Sequence, residues 1–572
     1  MLHKNEVNLS TADLDQSNGG ITKKLKMYSK DKKTNEDKLE LSDDFVNNEF
    51  RDTFRKIFCN ESVEGTEEIY VYHDDKKRKY TVRNNEDNKS IENENQLKLG
   101  SVVGSPFKVG VLHDVFDKSF LCELKEELGN LEWRHRSNDL YDFYQTDDLT
   151  VTCGEHVKNV QKLYGYLSSD DFISFMETIS NTKLVRNRLD LAAQQYKHGG
   201  YLLCHDDSIT GEKLRRKIAY ILYLVEEDWN ESDGGCLGLF SKDENNQPIS
   251  VVKKLVPNFN TLAFFVTGKS SYHEVQEVLR KDGINRWSVT GWFYENVENT
   301  EELLKNEFPS EFTSIYDIIP KSHPLQSISL GFDTLPDEIK DGSDLLGYFI
   351  NKDYLDGTSQ QRILDNFLEN SSIELKKFLK DNIYKELVKQ LCSSENFASV
   401  WKKYPVLPPI VRKYYLIDEN KYPTRDSKKG TDVADAVLKF FKSTEFSNYL
   451  TSITNLDFVK SSQEVRMFNK GCYTLIHDKV IEPEGLDVVF SFMGLKDSTD
   501  GSESKGETQW NSEKWDGGTH YIFEEDELLT IEPDHNTLSL VFRTEETKRF
   551  VKMVKSDSQF PRCEINMVFI EQ

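Results

Sequence analysis

Residues 196–207 read YKHGGYLLCHDD, and residues 468–479 read FNKGCYTLIHDK. The two stretches align without a gap, and the likeness continues downstream. Asp233-Gly234-Gly235 with Phe240 recurs as Asp516-Gly517-Gly518 with Phe523, and Pro257 with Asn260-Thr261-Leu262 recurs as Pro533 with Asn536-Thr537-Leu538. Sixteen residues beyond each proline stand His273 and Arg549, and thirteen further on stand Arg286 and Arg562. A period of about 270 residues is too long for a solenoid, so this reads as a duplicated domain. The copies differ where chemistry would reside. The first carries His205 and Asp207, the second His477 and Lys479. A lysine cation does not share a metal with a neighbouring histidine at neutral pH, which predicts one working metal centre and one decayed copy.

Composition bounds the rest. A chain of 572 residues has room for two to four domains, and duplication favours two large ones. The formal net charge of −25 argues against a nucleic-acid surface and favours capture of a basic partner. No run of 18 or more apolar residues is present, so no membrane span is expected. The opening MLHKNEVNLS has no apolar signal core, so secretion is not expected. Eight cysteines, none in a CxxC pair, suit free thiols in a reducing compartment.

Along the chain, residues 1–105 read as a variable, largely disordered N-terminal region, with order starting near 106. Two basic clusters in it, Lys23-Lys24-Leu25-Lys26 and Lys76-Lys77-Arg78-Lys79, suit either nuclear import or ordinary solvated charge. Phe120, Leu121, Leu124 and Leu128 predict a helix stopped by Gly129. IAYILYLV (218–225), LAFFV (262–266) and WSVTGWFY (287–294) predict strands. The fold class is therefore mainly β with flanking helices (α+β), arranged as two tandem jelly-roll domains, the second degenerate. Residues 106–297 would be the working domain, 298–350 a linker and 351–572 the second copy. In that copy Ile363, Leu364, Phe367 and Leu368 predict a helix, Ser371-x-x-Glu374 a capping box opening another, and 496–514 a mobile loop.

On a strand, residues i and i+2 share a face, so His205 and Asp207 would point together. Two imidazoles and one carboxylate on one face of an octahedron are the usual ligands of non-haem Fe(II) oxygenases. Three positions stay open, two for a chelating 2-oxoacid and one for O₂. His273 is the candidate second histidine. A dicarboxylate cosubstrate needs an anchor, and Arg286 can grip a carboxylate with two parallel charged hydrogen bonds. Ser288 shares its face. A tyrosine would complete the pocket, Tyr223 first and Tyr196 second. Three rival readings are an HD-type phosphohydrolase, which needs a helical fold with more His/Asp ligands, a non-enzymatic acidic scaffold, and an oxygenase with a different substrate such as lysine, a nucleobase or a lipid.

YLLCHDD (201–207), RRKIAYILYL (215–224), the DGG turn at 233–235, HEVQEVL (273–279), RWSVTGWF (286–293) and SNDLYDF (137–143) resemble the prolyl 3,4-dihydroxylase branch of the 2-oxoglutarate/Fe(II) oxygenases, which includes the fungal translation termination and polyadenylation factor. The resemblance is strong over about 106–297 and looser over 350–572. It implies two double-stranded β-helix domains with iron only in the first. By motif position it puts iron on His205, Asp207 and His273, and 2-oxoglutarate on Arg286 and Tyr223. It also implies O₂ as cosubstrate, ascorbate as reductant, and as substrate a proline of the basic small-subunit ribosomal protein at the decoding centre. Effects on translation termination, mRNA-linked partners for the C-terminal domain, and a nuclear and cytoplasmic location follow from the same likeness.

Overall fold

The computed structural model describes residues 39–74, 77–84, 96–152, 154–208, 213–297, 325–328, 344–392, 397–418, 432–476, 483–494, 509–524 and 526–571. The chain divides into two compact units: 1–137 with 141–312, and 138–140 with 313–572. Both are mostly β-sheet with some helices. Among the described residues no helix is long and apolar enough to cross a membrane.

Among the described residues the first unit has fourteen strands: β1 (Thr66–Asp74), β2 (Lys77–Asn84), β3 (Gln96–Val103), β4 (Val109–His113), β5 (Arg134–Ser137), β6 (Tyr141–Gln145), β7 (Ala192–Tyr196), β8 (Tyr201–His205), β9 (Leu214–Tyr223), β10 (Leu237–Lys242), β11 (Pro248–Leu255), β12 (Thr261–Val266), β13 (His273–Val275) and β14 (Arg286–Asn296). Their order is β11-β10-β13-β8-β6-β7-β14-β9-β12-β4-β3-β1-β2, with β5 on β6. The sheet folds back on itself. β6 pairs with both β7 and β8 and joins the walls. Leu237 and Leu239 of β10 pack against Val109 and Val111 of β4, Ala219 of β9 and Phe265 of β12, so the walls face each other across an apolar interior. The alternate residues, Ile218, Tyr220, Leu222, Leu262, Phe264, Val289 and Phe293, bury the outer face under helices. Central strands covered on both sides read as near-continuous apolar runs, which is why IAYILYLV and LAFFV stand out.

The covering helices follow local rules. Lys118–Gly129 is capped by Asp117, whose carboxylate accepts from Phe120 N, and buries Leu121, Leu124 and Leu128. Asp170–Ser180 is capped by Ser169 and ends at Asn181 in the left-handed conformation.

Order begins well before residue 106. Helix Asn48–Phe58 buries Phe50, Phe54, Ile57 and Phe58, and strands β1–β3 extend the sheet from β4. The rings of Phe54 and Phe58 stack on Phe264 at 5.9 and 5.4 Å. Three phenylalanines at i, i+4 and i+8 outweigh the charges around them, so the expectation of disorder over 1–105 does not hold for the described residues 39–74, 77–84 and 96–105. Lys77, Arg78 and Lys79 of the second basic cluster lie on β2, and Lys76 and the first cluster lie outside the described residues.

In the second unit, Phe458–Phe468, Arg562–Glu571, Gly485–Met493, Thr537–Arg543 and Ser372–Lys376 pair in that order, the sequence of pairings of β7, β14, β9, β12 and β4. A separate sheet of Asp526–Ile531, Thr519–Phe523 and Lys548–Val551 has the order of β11, β10 and β13. Registers also correspond: Arg286 lies opposite Tyr196, and Arg562 opposite Phe468. Asn260 and Asn536 sit at φ 55° and 49° and clasp a neighbouring peptide alike. Asn260 accepts from Phe116 N at 3.0 Å and donates to Phe116 O at 2.6 Å. Asn536 accepts from Leu379 N at 2.9 Å and donates to Leu379 O at 2.8 Å.

Two expectations for this unit, the helix opened by Ser371 and the loop over 496–514, need correction. Ser371 opens no helix. It closes Gly357–Asn370 in the left-handed conformation, and residues 372–376 form a strand on Thr537–Val541. Backbone pairing to the sheet outweighs the capping pattern there. The described parts of 298–350, Gln326–Ser327 and Leu345–Phe349, pack within the second unit. Residues 495–508 of the expected loop lie outside the described residues, but Trp510 and Trp515 are buried on Phe560.

Asn260→Ala leaves both polar groups of a buried peptide unpaired and puts alanine at positive φ. It should destabilise the first unit by about 2–4 kcal/mol, seen as earlier thermal unfolding. Asn258→Ala, at an exposed neighbour, should stay within about 0.5 kcal/mol.

Candidate active site

His205 is the last residue of β8 and His273 the first of β13, and the antiparallel register sets them opposite each other. Their ring centroids are 4.1 Å apart. Asp207 arrives differently from the expectation. It lies beyond the end of β8 at φ 59°, so a left-handed turn, not strand alternation, swings it back beside His205. Ser271 pins that turn by donating to Asp206 O at 3.0 Å.

The imidazole tautomers follow from their partners. His205 Nδ1 lies 2.7 Å from Leu203 O, and His273 Nδ1 lies 2.7 Å from Ser271 O. A carbonyl oxygen only accepts, so each Nδ1 carries the hydrogen and each Nε2 presents its lone pair. The Nε2 atoms lie 3.4 Å from Asp207 Oδ1 and 3.3 Å from Asp207 Oδ2. Ligand atoms of all three residues fall within 4.8 Å of one another. Two bonds of about 2.1 Å meeting at a right angle span about 3.0 Å, so the donor atoms fit one divalent ion. Burial alone would raise the Asp207 carboxyl, but the two histidines outweigh it and hold it well below the usual carboxylate range. Burial also disfavours charge on His205, yet Asp207 overrides it and the net shift is upward.

Arg286 opens β14 and is 1 % exposed. Its Nε donates to Gly235 O at 2.7 Å and its Nη1 to Ser288 Oγ at 3.4 Å. Gly235 has φ 65°, and a Cβ there would stand 2.7 Å from Arg286 Cδ, so the second glycine of the DGG turn makes room for this side chain. The guanidinium carbon lies 5.0 Å from the Tyr196 ring and 5.1 Å from the Tyr223 ring. Arg286 Nη2 and Tyr223 Oη are buried without a hydrogen-bond partner among the described residues. Burial pushes the Tyr223 phenol up, so it stays a donor at neutral pH. Two unmatched buried donors, one of them charged, call for an anion with acceptor oxygens. Tyr196 is placed otherwise: its hydroxyl donates to Gln194 Oε1 at 3.1 Å and its ring stacks on Phe143. The structure therefore brings together His205, Asp207 and His273, and separately Arg286, Ser288 and Tyr223. Tyr196 forms the wall.

Sequence reasoning missed Trp292. Its indole Nε1 donates to Asp207 Oδ2 at 3.2 Å. The signal was available: Arg286, Ser288, Thr290, Trp292 and Tyr294 alternate on one face of β14.

The second unit shows what replaces these groups. Arg549, at the place of His273, pairs with the buried Asp487 at 2.9 Å, which also holds Arg543 at 3.1 Å. Arg562 Nη1 donates to Gly517 O at 2.5 Å, the first glycine of its DGG turn, where Arg286 Nε donates to Gly235 O, the second glycine of its own. However, Glu564 stands two residues further on, where the first unit has Ser288, and it pairs with the Arg562 guanidinium. Thr519 Oγ1 accepts a further bond from Arg562 at 2.6 Å. His477 and Lys479 lie outside the described residues.

Residues 191–294 match the 2OG-Fe(II) oxygenase superfamily, and residues 341–571 match the oxoglutarate and iron-dependent oxygenase degradation C-terminal domain. The chain is 32 % identical to Prolyl 3-hydroxylase OGFOD1 of Xenopus laevis, over 81 % of this chain and 86 % of that protein. It is 28 % identical to Prolyl 3-hydroxylase OGFOD1 of Mus musculus, over 77 % and 83 %. It is 27 % identical to Prolyl 3,4-dihydroxylase OGFOD1 of Ostreococcus tauri, over 81 % and 94 %.

Titrating the purified chain with Co(II) or Fe(II) should show one tight site. Asp207→Ala or His273→Ala should weaken it at least 100-fold, because each removes one of three ligands. Unchanged binding in either variant would rule the cluster out as the site.

Proposed function

The chain belongs to the OGFOD1-type prolyl hydroxylases of the 2-oxoglutarate- and Fe(II)-dependent oxygenase family, and from that membership we propose that it hydroxylates a proline of the basic ribosomal protein at the decoding centre of the small subunit. The observation that carries the site reading is the pairing of two constellations. One is the buried triad of His205, Asp207 and His273. The other is the pair of unmatched buried donors on Arg286 and Tyr223. Their donor sets fit Fe(II) and a dicarboxylate.

Fe(II) and 2-oxoglutarate, when bound, supply the oxidation of a prolyl C–H by O₂, coupled to decarboxylation of 2-oxoglutarate to succinate. The chain's own residues do the rest. His205, Asp207 and His273 hold the ion on one face, leaving the other open. Arg286 and Tyr223 take the far carboxylate, and Ser288 steadies the guanidinium. The apolar interior between the walls keeps water away from these charges and strengthens them. The substrate reading rests on the resemblance, and a chain of net charge −25 suits a basic target.

In the same proposal each unit is a double-stranded β-helix and the second is a degenerate copy. The matching strand order, the twin asparagine clasps and the Arg549–Asp487 and Arg562–Glu564 pairs support it. That half would serve binding, with translation-termination and mRNA-linked factors as the expected partners. Ascorbate as reductant and a nuclear and cytoplasmic location belong to this proposal too.

Mass spectrometry of the small ribosomal subunit, with and without the gene, tests the substrate. One or two extra oxygens on a decoding-centre proline are expected only when the gene is present, and no difference would end the substrate reading. Arg286→Ala should raise KM for 2-oxoglutarate about 100-fold, the loss of roughly 3 kcal/mol of charged hydrogen bonding, with metal affinity largely kept. Metal analysis of the loaded chain should give one iron, and a second stoichiometric iron would refute the degenerate copy.

A further inference from the structure

Asp207 has two oxygens, and their surroundings differ. Oδ1 lies 3.4 Å from His205 Nε2. Oδ2 lies 3.3 Å from His273 Nε2 and accepts the indole N–H of Trp292 at 3.2 Å. An indole nitrogen is a donor only and does not titrate, so Trp292 is neither a ligand nor a base. What it can do is occupy a lone pair of one oxygen and turn the carboxylate. The indole is itself held. The Arg216 guanidinium lies 3.6 Å over its ring. Arg216 Nη2 is 3.7 Å from Asp190 Oδ2. The same carboxylate oxygen accepts from Tyr294 Oη at 2.6 Å. Trp292 and Tyr294 share a face of β14, and Arg216 stands opposite Tyr294 on β9. A cation against the face of an indole favours one ring orientation and polarises its N–H.

We propose that Trp292, clamped by Arg216, makes Asp207 offer one oxygen to the metal and not two, and is therefore a positioning residue of the centre. The inference rests on the reading of His205, Asp207 and His273 as metal ligands. The count of positions explains why it would matter. Three protein donors and a chelating 2-oxoacid use five of six places around an octahedral ion. A carboxylate bound through both oxygens would take the sixth. A hydrogen bond on Oδ2 keeps that place open, and the partner of a ligating group commonly tunes both affinity and geometry.

Trp292→Phe separates the N–H from the ring: it keeps an aromatic face for Arg216 and removes the donor. With Co(II) as the probe and no substrate present, the variant should bind about tenfold more weakly and show a displaced visible absorption band. It should also consume more 2-oxoglutarate per hydroxyl formed. Trp287→Phe, on the opposite face of the same strand, should keep the parent's Co(II) spectrum. If Trp292→Phe fails to fold, Arg216→Gln leaves the indole in place but unclamped and should displace the band in the same direction. A parental spectrum and affinity in whichever of the two variants folds overturns the inference. A parent chain that binds no Co(II) overturns the metal-site reading itself, so the two failures are distinguishable.

Discussion

A carboxylate buried between two imidazoles is the constraint on which the first unit turns. Asp207 is 6 % exposed, and among the described residues its oxygens face His205 Nε2, His273 Nε2 and the indole N–H of Trp292. Removing a carboxylate from water costs several kcal/mol unless a cation or several donors compensate. Burial disfavours charge on His205, but the neighbouring Asp207 carboxylate outweighs it and shifts His205 upward. In the proposed reading a divalent ion would supply the compensating charge. The register of β8 against β13, the left-handed turn at Asp207 and the carbonyls that fix each Nδ1 all serve that one convergence.

Much of this was legible in the sequence, for identifiable reasons. The His-x-Asp pair, the DGG turn, His273 and Arg286 stand in an order that local physics preserves, because each follows or opens a short buried strand. IAYILYLV and LAFFV are legible because central strands are apolar on both faces. Trp292 escaped because a tryptophan beside an apolar run reads as core, and only counting by twos from Arg286 sets it apart. Helix Asn48–Phe58 escaped because its charged residues dominate composition while its phenylalanines recur at a helical interval. Asp207 shows a third kind of gap. The structure sets Asp207 beside His205 and His273, but by a positive φ beyond the strand end, which strand alternation cannot report.

The two units separate scaffold from chemistry. The asparagine clasp, the strand order and an arginine bonded to a carbonyl of the DGG turn appear in both. These features satisfy backbone groups and are needed by any sheet folded this way. The groups that would meet a ligand differ: Ser288 against Glu564 and Tyr223 against Ser491 by the shared register, and His273 against Arg549 by the shared spacing from Pro257 and Pro533. Burying an arginine obliges the fold to provide a counter-charge. In the proposed reading the first unit takes it from a bound dicarboxylate, whereas the second has Glu564 on the same strand.

That assignment reaches beyond catalysis. In the proposed reading, a dicarboxylate bound at Arg286 would add folding free energy to the first unit as the logarithm of its concentration. Arg562 has its counter-ion tethered by the polypeptide, at an effective concentration no metabolic state can lower. Arg286 and Arg562 thus differ in the source of their counter-charge: a bound ligand in the proposed reading for the one, the chain's own Glu564 for the other.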